Sequence, residues 1–289
     1  MSTSSQLGLL VRPSRVRGLC SRYFYIYTRS GFRVLDIVFW PVMDLVVWGF
    51  VAKYFMRLDT TTSATAAAAS ATAGGASAGG AITFLIGAII FFNILYRAQQ
   101  SISVSFLEDL WSRNLLNIFV APITVAEFVA ATYVVGIAQI AVVSTLMSVL
   151  AYFLYTFNIL TLSFALIPLF LNLLVMGWSL GMMTTALVFR FGHQAEALAW
   201  AVPFLIQPVS AVFYPVSVLP TWLQPVAYLV PATYVFEGMR HVLAGQGEIN
   251  RYLLIASALN VLYFVLVSFF FGGMLNNARE RGALAKLVV

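Results

Sequence analysis

The chain has 289 residues, of which 61% are hydrophobic and 9% charged, with a net charge of +6 and a mean hydropathy of +0.92. Soluble domains carry about a quarter charged residues, so water could not solvate a surface of this composition, and a water-soluble globular protein is excluded. Nucleic-acid binding is set aside too: Arg12, Arg15, Arg17, Arg22, Arg29 and Arg33 precede the first apolar run with no acid before Asp36, a cytoplasmic orientation signal attracted to anionic lipid, and no soluble recognition module accompanies them.

Residues 1–33 form a basic segment with Tyr23, Phe24, Tyr25 and Tyr27 clustered. The pattern predicts an amphipathic helix lying on the cytoplasmic leaflet, aromatics at headgroup depth, with a disordered basic tail as the plainer reading. The first span is expected over about 34–55, followed by a flexible outer loop over 57–81, rich in Ala, Thr, Ser and Gly and too poor in bulky apolar groups to pack. The second span covers about 82–103. In the first, Asp44 lies deep enough to need a partner or water, while Asp36 can reach Arg33 or Arg29. Arg97 is expected to snorkel towards the cytoplasmic side.

A more polar stretch, residues 106–122, interrupts the hydropathy. On a helical wheel Glu108, Asp109, Ser112, Arg113 and Asn117 lie on one side and Leu107, Leu110, Trp111, Leu115 and Ile118 on the other, with Asn114 intruding on the apolar arc. Asp109 and Arg113 are spaced for an i,i+4 pair, and Pro122 makes continuation unfavourable. This describes a short helix at the membrane surface, either offering charges to a cytosolic partner or serving as a plain connector.

The third span runs over about 125–155 and the fourth over 160–189, where Gly177 and Gly181 stand at small-xxx-small spacing. After a polar turn at 190–196, the fifth is expected over 197–214. Residues 215–240 are too broken for a span and too apolar for a free loop, with Pro215, Pro220, Pro225 and Pro231 each opposing helix continuation. Two short helices dipping in from one side fit this pattern, with Trp222, Tyr228 and Tyr234 at interface depth and Glu237 and Arg240 near the outer face; a hydrophobic plug is the alternative. The sixth span covers about 252–275, and 277–289 form a cytoplasmic tail. The transmembrane domain is thus 34–276, all-α with six crossings and both termini cytoplasmic, and the Lys/Arg asymmetry agrees.

One cysteine, Cys20, and two isolated histidines, His193 and His241, offer no disulfide framework and no metal site. No G-x-x-x-x-G-K-[ST] phosphate loop, carboxylate cluster or Ser/His pair occurs, so the chain has no P-loop means of binding ATP and reads as a non-enzyme. Asp44, Asn93 and Asn172 are intramembrane polar groups, read either as bundle hydrogen bonds or as pathway lining, with proton coupling a further option for Asp44.

Two segments carry a resemblance. Glu108 to Glu127, with its Ala121-Pro122-Ile123 turn, is similar to the stretch between the second and third spans of the membrane (permease) subunit of ABC-2-type exporters. Pro215-Val-Ser-Val-Leu-Pro220-Thr-Trp222-Leu-Gln-Pro225, with Pro231-Ala-Thr233 and Glu237-Gly-Met-Arg240, resembles that family's re-entrant segment before the last span. The resemblance implies a bacterial inner-membrane permease, dimeric with a second copy or close paralogue and docked on a separate cytosolic ATP-binding subunit that holds ATP and magnesium. Residues 106–122 would be the coupling helix, using Glu108, Asp109, Trp111, Arg113, Asn114, Asn117 and Pro122. Residues 215–240 would form the outer gate. An ATP-independent secondary transporter using Asp44 and a membrane scaffold are the competing functions, and the substrate reading is an amphiphile, lipid-linked glycan or drug-like molecule.

Overall fold

A computed structural model of the chain describes residues 12–59, 78–114, 123–155, 166–243 and 249–280. Among these the secondary structure is entirely helical. The α-helices are α1 (Pro13–Thr28), α2 (Gly31–Asp59), α3 (Ala78–Trp111), α4 (Val125–Tyr155), α5 (Leu166–Phe191), α6 (Leu198–Val209), α7 (Gln224–Leu229), α8 (Pro231–Leu243) and α9 (Asn250–Glu280). Single 3-10 turns at Gly192–Ala195 and Val216–Val218 join them.

Five helices are long and apolar enough to cross a bilayer: α2, α3, α4, α5 and α9. The expected fifth crossing over 197–214 is not one of them. It yields the 12-residue α6, which holds Pro203 and Pro208, about 18 Å long at 1.5 Å per residue and short of a hydrocarbon core of roughly 30 Å. Beyond it the chain bends through Ala211, whose φ of 52° lies in the left-handed region.

α3 is the most enclosed of the long helices, and α2 and α9 the least. α3 packs on α5, α4, α2 and α6, while α9 packs on α5 and α8. The α3–α5 seam depends on Gly177 and Gly181. A Cβ at Gly177 would stand 2.5 Å from Ala98 Cβ and 2.6 Å from the Leu95 carbonyl oxygen, and one at Gly181 would stand 2.6 Å from the Gln99 carbonyl oxygen. Here the small-xxx-small spacing brings two backbones together.

Outward faces are apolar. Phe39, Trp40 and Phe50 on α2, Val142 and Phe153 on α4, and Leu254, Val261 and Phe269 on α9 are all exposed. In water such patches would drive aggregation; against lipid tails they cost nothing.

Three expected boundaries move. The outer loop expected over 57–81 is helical at both ends, since α2 runs to Asp59 and α3 starts at Ala78; residues 60–77 lie outside the described residues. The tail expected from 277 begins as helix, because α9 continues to Glu280. The surface helix expected from 106 is, over 106–111, the end of α3 itself. Phe106, Leu107 and Leu110 are buried there, and its acids are neutralised by arginines from elsewhere, so the dip in hydropathy does not end the span.

Candidate functional site: two ionic assemblies at opposite ends of the bundle

α1 is a short helix with Pro13 in its first turn, where a missing N–H costs nothing. Leu19 and Tyr23 are its buried residues, packed towards α4. Three ion pairs fasten the chain around α1 to the bundle. Arg22 pairs with Asp109, Arg33 Nε lies 3.5 Å from Glu108 Oε1, and Arg15 Nη1 lies 3.5 Å from Glu127 Oε2. Tyr23 donates to Asp109 Oδ2 at 2.8 Å. Burial, with the Asp109 carboxylate beside it, holds the Tyr23 phenol well above its ordinary range, so the hydroxyl stays a donor. Tyr23 therefore sits in the core, whereas Phe24 and Tyr25 are exposed.

Glu127 was not among the expected site residues. Its carboxylate accepts from the Thr124 N–H at 2.8 Å and the Arg12 N–H at 2.9 Å, while Thr124 Oγ1 accepts from the Glu127 N–H at 3.2 Å. Thr124-Val-Ala-Glu127 is a capping box opening α4, legible in the sequence as T-x-x-E before an apolar run. The added acceptor bond from Arg12 ties the start of α1 to the same carboxylate.

The α3 acids thus face inward. Asp109 is 1% exposed and is matched with Arg22 and Tyr23 in place of the expected Asp109–Arg113 pair. Arg113 stands outside α3 in a turn, exposed, at φ 54°, a left-handed conformation costing a non-glycine residue roughly 1–2 kcal/mol. The Asn114 N–H closes that turn on the Asp109 carbonyl at 2.9 Å. Trp111 is half-exposed and stacks on Trp200 of α6, with ring centroids 6.2 Å apart. Asn117 and Pro122 lie outside the described residues.

Roughly 37 Å along α3 from Asp109, at about 1.5 Å per residue, Phe84 supports the second assembly. Arg240 of α8 is 7% exposed, with its guanidinium 4.6 Å above the Phe84 ring. It donates to the carbonyls of Ala211, Val212 and Tyr214 and pairs with Glu237 at 3.0 Å. Glu237 in turn accepts the Val216 N–H at 3.0 Å. Irregular backbone away from water needs internal partners, and Arg240 Nη2 supplies them. Glu237 and Arg240 are paired with each other and stitch α8 to the bend after α6. Of the expected gate residues, Pro231 opens α8 and is buried, Pro215 precedes the 3-10 turn, and Pro225 lies in the first turn of α7. Pro220 and Trp222 are exposed, Trp222 by 73%.

Between the two ends, Asp44 is half-buried against Asn93, with Arg97 nearby. Arg97 does not snorkel. It is 5% exposed and donates from Nη2 to the Ile37 carbonyl at 2.8 Å and the Asp36 carbonyl at 3.3 Å. The cause lies in α2: Pro41 has no N–H to offer the Ile37 carbonyl four residues back, and Arg97 takes that acceptor. The Asp36 carboxylate accepts from Trp40 Nε1 at 3.0 Å, and Arg33, its expected partner, is paired with Glu108. Asn172 is apart from Asp44 and Asn93. Its carbonyl and Oδ1 accept from Asn260 at 3.0 and 2.8 Å, and its Nδ2 donates to Ser257 at 3.2 Å, joining α5 to α9. Among the described residues no group of His, Cys, Asp and Glu could hold a metal ion.

Apolar outward faces, long spanning helices and internal cations that satisfy broken backbone define a multi-pass α-helical membrane protein. Residues 20–244 match the ABC-2 type transporter family, so the chain belongs to that family and is a transport permease. It is similar to the inner membrane transport permease YadH of Escherichia coli (strain K12), 22% identical over 190 residues, covering 65% of this chain and 71% of that protein. The protein of the same name from Shigella flexneri gives the same figures. The resemblance read from Glu108–Glu127 and Pro215–Arg240 is borne out at the level of family.

Proposed function

We propose that this chain is the membrane-spanning permease subunit of an ATP-driven exporter, working as a dimer with a separate cytosolic ATP-binding subunit. The observation that carries the reading is the latch around Asp109. The end of α3 is ion-paired to α1 and to the start of α2 immediately before the 112–122 connection, and α3 is the helix that most others pack against. A displacement applied to the residues after Trp111 is thereby passed as rigid-body motion into the centre of the bundle.

In this reading 106–122 is the coupling region, with exposed Trp111 and Arg113 meeting the ATPase. The crossings number six, α6 and the bend after it making the fifth, and both termini are cytoplasmic. The paired short helices α7 and α8 form the outer gate. Nucleotide on the partner shifts the inward–outward equilibrium only through different affinity for the two states. The cargo is an amphiphile, lipid-linked glycan or drug-like molecule.

The test is a mild-detergent pull-down of the tagged chain from its host, followed by an ATP hydrolysis assay. A P-loop ATPase copurifying at about equal stoichiometry supports the exporter. A chain that purifies alone and without ATPase activity overturns it in favour of a secondary transporter, with Asp44 the residue to change next.

A further inference from the structure

A cavity of about 310 Å³ opens between the α1–α2 joint, α3 and α6, and its charged walls are Arg33, Asp36, Arg97 and Glu108. Two buried side-chain atoms there have no hydrogen-bond partner among the described residues, and their demands are opposite: Arg97 Nε is a donor and Glu108 Oε2 an acceptor. The rest of each group is engaged. Arg97 uses Nη2 on the α2 carbonyls and Nη1 on Gln100 at 3.2 Å, and Glu108 uses Oε1 on Arg33. Arg97 makes no direct ion pair among the described residues, although Asp36 and Asp44 lie near it. The parallel Trp111 and Trp200 rings line the same space.

We propose that this cavity binds the zwitterionic head group of an amphiphile, its anionic group at Arg97 and its ammonium group at Glu108. The charge balance selects this chemistry. A purely anionic head would satisfy Arg97 but face Glu108 and Asp36, and a purely cationic head would satisfy Glu108 but meet Arg97. The four charged walls sum to zero, so a ligand that is itself neutral overall and carries separated charges fits without excess. Trp111 and Trp200 add π faces that favour a cation beside Glu108. Phe32 at the α1–α2 joint, exposed and lining the same cavity, offers an apolar surface along which acyl chains can leave it. The inference needs a membrane setting but not the ATP-driven reading, since binding belongs to this chain alone.

The test titrates the chain, purified in a maltoside detergent, with short-chain phosphatidylethanolamine, phosphatidylglycerol and an uncharged diacylglycerol below their micellar concentrations. Tryptophan fluorescence reports binding, and a Trp200→Phe variant confirms that the signal arises at the cavity. The ethanolamine lipid should bind at least tenfold tighter than the other two. Glu108→Gln should abolish its advantage over phosphatidylglycerol, and Arg97→Gln should weaken both phospholipids. Should Arg97→Gln fail to fold, the Glu108→Gln preference alone decides. Free phosphoethanolamine separates the sources: binding as tight as the lipid assigns the site to the head group alone, and binding at least tenfold weaker assigns it to the whole amphiphile. Equal binding of all three lipids, or a preference that survives Glu108→Gln, would overturn the proposal and leave a water-filled cavity.

Discussion

Arg22 and Asp109 are 87 residues apart in the chain and meet in one ion pair, with Tyr23 donating to the same carboxylate. The pair joins the short helix α1 to the end of α3, the most enclosed of the long helices. Asp109→Ala should cost about 3 kcal/mol, because it leaves the partly buried Arg22 uncompensated, and Tyr23→Phe about 1 kcal/mol. Thermal unfolding in detergent measures both. Limited proteolysis within α1 should accelerate for Asp109→Ala, and unchanged cleavage would show that α1 is held by its apolar face alone.

Because Asp109 is paired with Arg22 of α1 and Glu108 with Arg33 of α2, reversing their charge tests the latch as well as any partner contact. Arg113 separates the two effects, since it is exposed and outside α3. Arg113→Glu should leave the melting temperature within error and lower ATPase copurification severalfold, whereas Glu108→Lys with Asp109→Lys should lower both. Copurification unaffected by Arg113→Glu removes this residue from the coupling surface.

Pro41 and Arg97 should be energetically coupled. Pro41→Ala returns an N–H to the Ile37 carbonyl, the acceptor that Arg97 now occupies at 2.8 Å. Arg97→Gln should therefore be less damaging in the Pro41→Ala background, by about 1 kcal/mol in a double-mutant cycle. A cycle that closes to zero would mean the carbonyl is satisfied some other way.

The α3–α5 seam leaves no room for side chains. Gly181→Val would push against the Gln99 carbonyl and Ile102, an overpacking cost of roughly 1–3 kcal/mol. Gly177→Val should behave alike. Gly272→Val, where nothing lies within 4 Å of the added Cβ, is the matched control and should be neutral by size-exclusion profile and melting temperature.

At the other end, Arg240→Lys and Arg240→Gln should differ. Lysine has one nitrogen, whereas arginine sets Nη1 against Glu237 while Nη2 serves the carbonyls of Ala211, Val212 and Tyr214. We expect Arg240→Lys to retain a folded permease with faster cysteine labelling at 217, and Arg240→Gln to lose stability by about 3 kcal/mol, the cost of breaking a buried pair. Equal behaviour would mean that only charge matters there.

Much of this protein was legible in its sequence because lipid imposes simple demands. Hydropathy marked the five long helices, with α4 starting and ending where its apolar run does, and the prolines between 215 and 231 marked the short helices that follow α6. Gly177 and Gly181 announced a close helix contact by spacing alone, and Thr124 and Glu127 carried a capping signal that periodicity could have yielded. These are local properties, set within a turn or two of chain.

The direction in which charges point was decided only by tertiary structure. Glu108 and Asp109 read as solvent-facing on a helical wheel, yet Arg22 of α1 and Arg33 at the start of α2 turn them inward. Arg97 read as a snorkelling cation, yet a proline on another helix gives it a carbonyl to serve. Arg240 read as an outer charge and became the clasp of an irregular bend. In a medium that hydrates neither ions nor backbone, every polar group must find its partner within the protein. For Asp109, Arg97 and Arg240 that partner lies 26 to 87 residues away along the chain, beyond the reach of local pattern.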